Sequence, residues 1–256
     1  MTTQKHQFQR GFSLVEMAIV LLIVGLLMGG LLPGLASQME QGRITDTKAT
    51  MASITDALYG YAAGHRGALP CPATLASAGG PDPANAGTTT GLCTDPFGGF
   101  IPGRLLGLTP VNANGFVVDA WGNPIRYAVS TMASGANRAI TFENGVHELG
   151  IANFGGFANT SPAANTLLSV CASSAGITPA SCGSTANTTS RDAIALIYSY
   201  GPSGVPTSGP DEGRNNAVPA TQFFVSHTKT DTFDHIVQWI PKNVYLTKML
   251  AAGVVP

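Results

Sequence analysis

The feature that most constrains the fold is an apolar run near the N-terminus. From Phe12 to Leu32 every residue is apolar or small except Ser13 and Glu16. A helix of about 20 apolar residues is long enough to cross a bilayer. Residues 1–10 contain two Lys or Arg residues and no acid, and the positive-inside rule places such a flank in the cytoplasm. The sequence therefore predicts a membrane-spanning helix with the following residues outside the membrane.

An ordinary secretory signal peptide is the alternative explanation of this run. The stretch Gly34-Leu35-Ala36 before Ser37 satisfies the small-x-small rule for cleavage. However, the apolar core is longer than the usual 7–15 residues, and an acid such as Glu16 near its start is atypical. These two features favour a helix that is retained.

Four cysteines lie in two local pairs, Cys71 with Cys93 and Cys171 with Cys182. An even count in an exported chain predicts disulfides. Four cysteines allow three connectivities, and we predict the pairing of sequence neighbours because it closes the shortest loops. Four free buried thiols are the alternative. A zinc site is not favoured, since neither C-x₂-C nor H-x₃-H spacing is present.

The low charge content restricts the class of partner. Charged residues make up 11% of the 256-residue chain and the net charge is −1, whereas about 25% charged residues is average. Nothing therefore indicates nucleic-acid binding. A polar surface built largely from Ser, Thr, Asn and Gln suits secreted or assembled proteins. The length allows one or two domains with a sizeable core.

A helical pattern continues after the apolar run, over residues 36–66. Apolar residues recur there at steps of seven, three, four and three: Ile44, Met51, Ile54, Leu58 and Tyr61. This spacing predicts an amphipathic helix that lies on a sheet. Together with the first segment it predicts one long helix with a membrane-spanning half and an amphipathic half.

From residue 67 the pattern changes to short strands and long loops. Alternation and turn residues predict a hairpin and three further strands, at 115–130, 192–201, 220–228 and 232–241, with additional strands at 139–145 and 147–156 and a short tail after 241. Residues 72–103 and 155–190 read as long loops beside the cysteine pairs. The predicted class is α+β: the long helix packed on an antiparallel sheet with disulfide-stapled loops.

The N-terminal residues resemble a known processing site. The hexapeptide GFSLVE at 11–16, preceded by a basic leader and continued by the apolar run, resembles the site cut in type IV pilins and type II secretion pseudopilins. The resemblance implies that prepilin peptidase cuts after Gly11 on the cytoplasmic side and N-methylates Phe12. Pro33 and Gly34 resemble the positions at which the family's long helix is interrupted, which implies a kink.

The resemblance also implies an organisation and a set of partners. The segments are a leader (1–11), a transmembrane and polymerisation helix (12–35), the amphipathic half (36–66) and a globular β-rich head (67–256). The partners are other copies and related pilin subunits in a helical filament, prepilin peptidase and an inner-membrane assembly platform. The precursor lies in the inner membrane with a periplasmic head, and the filament is periplasmic or extracellular.

Glu16 is expensive in a membrane unless it is paired. A carboxylate near the centre of a bilayer costs about 2.5–3.5 kcal/mol. After cleavage, however, Glu16 lies in the first helical turn, where the helix dipole favours an anion, and four residues from the positive amine of Phe12. It can meet that amine or the amine of a neighbouring subunit. Pairing with a neighbour would favour assembly, because an isolated buried charge is strongly disfavoured.

Two stretches of the head resemble the family less closely. DAWGNP at 119–124 looks like the D-x-W-G-x-P turn of major pseudopilins. TFDHIVQW at 232–239 looks like an F-D-D-I-V-x-W ending, with His235 in place of the second Asp.

The resemblance implies one cofactor at most, a calcium ion, since major pseudopilins bind calcium in a C-terminal loop. The oxygen donors that Ca²⁺ prefers would come from Asp211, Glu212, Asn215, Asn216, Asp231 and Asp234.

Three roles stay open at this point. The first is a structural filament subunit, and the second is a minor tip subunit that acts as initiator or adhesin through its long loops. The third is a secreted enzyme or binding protein released before Ser37. Catalysis is not favoured, because the sequence lacks G-x-S-x-G, H-E-x-x-H and P-loop motifs.

Overall fold

The structure is a computed structural model that describes most of the chain. The described residues are 11–82, 90–134, 137–148, 150, 167–204, 209–217 and 220–254, with the backbone alone at 28–35, 133–134 and 137–138. Residues Met1–Ile44 and Thr45–Pro256 form two compact units.

A single helix, α1, spans Leu14–Gly64. The prediction of one long helix is therefore confirmed, and its backbone remains helical through Pro33 and Gly34. The kink at these two residues stays a prediction. Among the described residues, no helix combines the length and apolar character that crossing a bilayer requires.

The amphipathic half of α1 buries the central part of the predicted stripe, and the two residues at its ends are half-buried. Met51, Ile54 and Leu58 are fully buried, and they share one core cluster with Tyr127 and Ile197 of the sheet. Burying a Leu- or Ile-sized side chain contributes about 1.5–3 kcal/mol. The apolar side chains that recur at the helical period of 3.6 residues therefore pack α1 against the sheet of the head.

In the part of the chain that the structure describes, eight strands, two further helices and a helical turn at 145–148 follow α1. The strands are β1 Gly99–Phe100, β2 Arg126–Val129, β3 Ala133–Ser134, β4 Asn137–Arg138, β5 Leu168–Cys171, β6 Thr188–Ser199, β7 Phe223–Val225 and β8 Ile236–Pro241. The helices are α2 Pro210–Asn215 and α3 Lys242–Ala251, and a 3-10 turn covers Gly201–Ser203.

The main sheet has six strands in the order β1-β2-β6-β5-β7, with β8 paired to β6. The sheet is mixed, so the prediction of an antiparallel sheet is wrong at one pair: β5 and β7 run parallel, with Val170 opposite Phe224. Parallel neighbours require a crossover connection. Here β6, the 3-10 turn and α2 separate the two strands in the chain and supply that crossover.

The predicted strands at 192–201, 220–228 and 232–241 are confirmed as β6, β7 and β8. The hairpin at 115–130 is reduced to β2 and isolated bridges, Val111 to Val117 and Val118 to Pro124. Residues 139–144 form turns and 145–148 a helical turn rather than a strand. The remainder of the strand predicted at 147–156 lies almost wholly outside the described residues.

Three segments predicted as irregular are regular, and the shortest is β1, which lies inside the loop predicted at 72–103. Helix α3 replaces the short tail, because Tyr245 and Met249 recur at helical spacing and are both buried. Strand β5 lies inside the loop predicted at 155–190, and its four residues are all buried. A buried strand of this kind shows no apolar–polar alternation for a sequence pattern to detect.

Both predicted disulfides are present, Cys71–Cys93 and Cys171–Cys182. No cysteine is free, so the alternative of four buried thiols is wrong. The second bridge links β5 to the loop that precedes β6.

Candidate functional site

The N-terminal residues form a capped helix start that follows an exposed, irregular segment. Gly11, Phe12 and Ser13 precede α1 in irregular, exposed backbone. The amide of Glu16 donates to Ser13 Oγ at 3.2 Å. Ser at the N-cap followed by Glu three residues later is the capping-box sequence, which satisfies otherwise unpaired amides at a helix start. The peptide bond between Gly11 and Phe12 is thus accessible, and Glu16 lies in the first turn.

The first four turns of α1 expose apolar side chains on all sides. Phe12 is 78% exposed and Leu14 88% exposed. The other large apolar side chains there are also exposed: Val15, Met17, Ile19, Val20, Leu21, Leu22, Ile23, Val24, Leu26 and Leu27. A continuous apolar surface of this kind marks an interaction site with protein or lipid. Within it, Glu16 is the single charged residue between residues 12 and 27.

Comparison with known families identifies this segment. Residues 7–32 match the family model described as the prokaryotic N-terminal methylation motif. The chain carries the hallmark of type IV pilins and pseudopilins. The methylation motif contains Gly11, Phe12 and Glu16 and the whole apolar run up to Leu32. Neither curated proteins nor solved structures yield a significant match to the chain.

A second cluster of polar residues lies where the DAWGNP turn meets the end of β6. The carboxylate of Asp119, which is 5% exposed, accepts from the amides of Trp121 at 2.9 Å and Asn123 at 2.8 Å. Its other oxygen accepts from Ser199 Oγ at 2.5 Å. Gly122 has φ 89°, the left-handed region that favours glycine. The turn therefore requires both Asp119 and Gly122.

The same turn contacts α1. The amide of Ala120 donates to Oγ1 of Thr47 at 3.1 Å, and Thr47 is fully buried. On the other side, Asn123 Nδ2 donates to the carbonyl of Gly201 at 2.8 Å. The turn, which leads into β2, thus connects α1 with the end of β6 through hydrogen bonds. The role of Thr47 was missed from the sequence, since a Thr inside a helix gives no signal of a long-range bond.

The residues predicted as calcium ligands are divided between separate places. Asp211 Oδ1 accepts from the amide of Ser174 at 2.6 Å and from Ser173 Oγ at 3.2 Å, and its Oδ2 lies 3.1 Å from His227 Nε2. Burial raises the pKa of Asp211, but the hydrogen bonds from Ser174, His227 and Ser173 outweigh it and lower the pKa. Asp231 is exposed and does not belong to the group of candidate ligands that the described residues form.

Glu212 and Asp234 do come together. Glu212 Oε1 accepts from the amide of Asp234 at 2.9 Å, and Asp234 accepts from the amide and hydroxyl of Ser203 at 3.1 and 3.0 Å. These two acids and His235 place one ligand-type atom each within 4.8 Å of one another. Asn216 instead accepts from the hydroxyl of Tyr200 at 2.7 Å. The calcium site stays a prediction.

The tautomer of His235 bears on this cluster. Asn215 pairs with both backbone groups of Val225, donating at 2.9 Å and accepting at 2.7 Å. This fixes its amide orientation, so Asn215 Nδ2 also donates to His235 Nδ1 at 3.1 Å. The proton of the neutral imidazole is then on Nε2, which has no hydrogen-bond partner among the described residues. A metal ligand needs a lone pair there, so this arrangement does not favour metal binding through His235.

The buried imidazole is strongly perturbed. Burial lowers the pKa of His235 to about 4, and the nearby charge of Asp234 opposes the shift. From the sequence, His235 was notable only as a departure from the family's acidic residue. Its hydrogen bond to Asn215, 20 residues away, is a tertiary contact with no local signal.

Proposed function

We propose that the protein is a structural subunit of a type IV pilus-like or type II secretion pseudopilus filament. The observation that carries the proposal is the methylation motif at 7–32, joined to a helix start with continuous apolar exposure. Prepilin peptidase removes residues 1–11 and methylates Phe12. The apolar run up to Leu32 anchors the precursor in the inner membrane, and the same surface packs on other subunits after assembly.

Glu16 sets the register between subunits in this proposal. Glu16 lies in the first turn of α1, and the Ser13 hydroxyl accepts from its backbone amide rather than from its carboxylate. The carboxylate is therefore available to the methylated amine of Phe12 on a neighbouring subunit. A charge pair of this kind inside an apolar bundle contributes mainly to registry. A subunit leaving the membrane gains a partner for a charge that lipid disfavours.

The mature N-terminus tests the processing step. Mass spectrometry of the protein from membranes is expected to find N-methylated Phe12 as the first residue, and Gly11→Ala is expected to abolish that product. A mature chain that begins at Ser37 would instead establish signal-peptide cleavage and refute the proposal.

The assembly step has its own test. Glu16→Ala is expected to be processed normally but excluded from sheared filaments. Glu40→Ala is the matched control, because it removes a carboxylate from the same helix outside the apolar run. Wild-type amounts of Glu16→Ala in filaments would show that the charge does not act in assembly.

The alternative role is a minor tip subunit that initiates the filament or binds a ligand. The observation that favours it is the extent of irregular backbone around the two disulfides, over the described residues 71–82, 90–98 and 172–187. Quantitative mass spectrometry of purified filaments separates the roles. A major subunit is the most abundant chain, whereas a tip subunit occurs in a few copies.

A further inference from the structure

One arginine of the head lies on the sheet face opposite α1. Tyr127 and Val129 of β2 belong to the core cluster that contains Met51 and Ile54 of α1. Side chains alternate along a strand, so Arg126 and Ala128 point to the other face. Ala128 is part of a second cluster there, with Tyr198 and Tyr200, and Arg126 is directly opposite Tyr198 in the sheet.

Aromatic rings hold the guanidinium of Arg126. Its central carbon lies 4.4 Å from the centre of the Phe100 ring and 5.7 Å from that of Tyr200. The Tyr200 ring is itself held by the bond from its hydroxyl to Asn216 Oδ1. Stacked arginine loses less conformational freedom when it forms further hydrogen bonds. The head group is therefore rigid before any ligand arrives, while the residue remains partly exposed.

The head uses the hydrogen-bonding capacity of Arg126 only in part. A guanidinium has five N–H donors. Nε is buried without a partner among the described residues. The guanidinium does hydrogen-bond to the neutral hydroxyls of Tyr198 and Tyr200: burial raises the pKa of both, although Arg126 opposes the shift. Both phenols thus stay protonated and cannot neutralise the arginine.

The chain supplies no acid to Arg126. All 14 Asp and Glu residues lie in the part of the chain that the structure describes. Across that part, the one salt bridge found joins His227 to Asp211. Charges withdrawn from water are normally paired. Arg126 lies between two aromatic rings, where Arg214 contacts one, and none of the chain's acidic side chains neutralises it, so it marks a place for an anion from another molecule.

We propose that Arg126 binds a carboxylate of an acidic peptide segment from a partner protein. A carboxylate matches the planar, two-pronged donor set of arginine. The apolar side chains of Phe97, Val237 and Trp239 are partly exposed and pack on the same cluster. Arginine, tyrosine and tryptophan are the residues that contribute most to protein interfaces. This surface therefore suits an acidic residue with apolar neighbours, and none of its residues belongs to the N-terminal segment 12–35.

The test is a binding titration of the full chain in detergent micelles, in which calorimetry measures the binding. The probes are acetyl-Leu-Glu-Leu-amide, its Gln analogue and succinate. We expect the Glu peptide to bind about tenfold to a hundredfold more tightly than the Gln peptide, because the acid makes charged hydrogen bonds. Arg126→Gln is expected to remove that difference, and Arg126→Lys to retain a smaller one because lysine lacks the planar fork.

Arg214→Gln is the matched control. Arg214 also lies over an aromatic ring, 5.9 Å from the centre of Phe223, and its Nε is also buried without a partner in the described structure. This control is expected to leave the discrimination unchanged, and thermal unfolding of each variant verifies the fold. Equal binding of the two peptides, no saturable binding, or equal loss in Arg214→Gln would overturn the proposal. If succinate binds and the Glu peptide does not, the carboxylate does not come from a peptide and the proposal is overturned.

Discussion

Acidification should destabilise the head through His235, and the size of the effect follows from its surroundings. The side chain is 6% exposed, and burial lowers its pKa from the ordinary 6.5 to about 4. Because the folded-state pKa lies below the unfolded value, the stabilisation is complete above pH 6.5 and is lost as the pH falls toward 4. Each unit by which the folded pKa lies below the unfolded pKa corresponds to about 1.36 kcal/mol, so the full loss of unfolding free energy is about 3 kcal/mol.

The hydrogen bonds of His235 give the same direction. Its Nδ1 accepts from Asn215 Nδ2, and protonation would replace that acceptor with a second donor facing the amide. The bond would be lost and Nδ1 would be left buried without an acceptor. The neutral imidazole is thus the form that the folded head can hold.

Urea unfolding of the full chain in detergent, followed by near-UV circular dichroism, measures this dependence. Between pH 6.5 and 5, where most carboxylates stay ionised, the wild type should lose about 2 kcal/mol of unfolding free energy. His235→Asn keeps an acceptor near the Nδ1 position but cannot titrate, so it should lose little over that interval. His147→Asn, at an exposed position, should behave as the wild type. An equal loss in His235→Asn and the wild type would refute the assignment.

Three further predictions concern the stability of the head. Asp119→Ala leaves the amide donors of its turn and Ser199 Oγ without their acceptor, so urea unfolding should show a loss of about 3 kcal/mol, and Asp119→Asn a smaller one. Replacing Cys171 and Cys182 with Ser opens a loop with sequence separation 11, which should cost about 3 kcal/mol in denaturant titrations. Leu58→Ala removes a fully buried contact of α1 and should lower the free energy of unfolding by roughly 2–5 kcal/mol; a loss below 1 kcal/mol would show that the helix is not packed as described.

The DAWGNP turn illustrates how far a local pattern reaches. Its residues predicted a turn, and Gly122 has the positive φ that such a turn needs. The hydrogen-bond partners of the turn could not be predicted from the sequence, because Thr47 and Ser199 lie more than 70 residues away along the chain. The predicted calcium ligands show the same limit: Glu212 and Asp234 meet, whereas Asp211 faces Ser174 and His227.

The sequence by itself determined the features whose signals are contiguous. These are the processing motif at 11–16, the single helix Leu14–Gly64 with its buried stripe, the two local disulfides and three strands of the sheet. Each depends on periodicity or on short separations, which survive in a one-dimensional pattern.

Only the tertiary structure decided the relations between distant segments. In the folded head, β5 and β7 run parallel and the expected tail forms α3. His235 is buried in its neutral form, and Arg126 lies among aromatic rings without an acidic partner. The physical reason is common to all four. Each depends on which side chains fill the space on one face of the sheet, and residues far apart in the chain supply that environment.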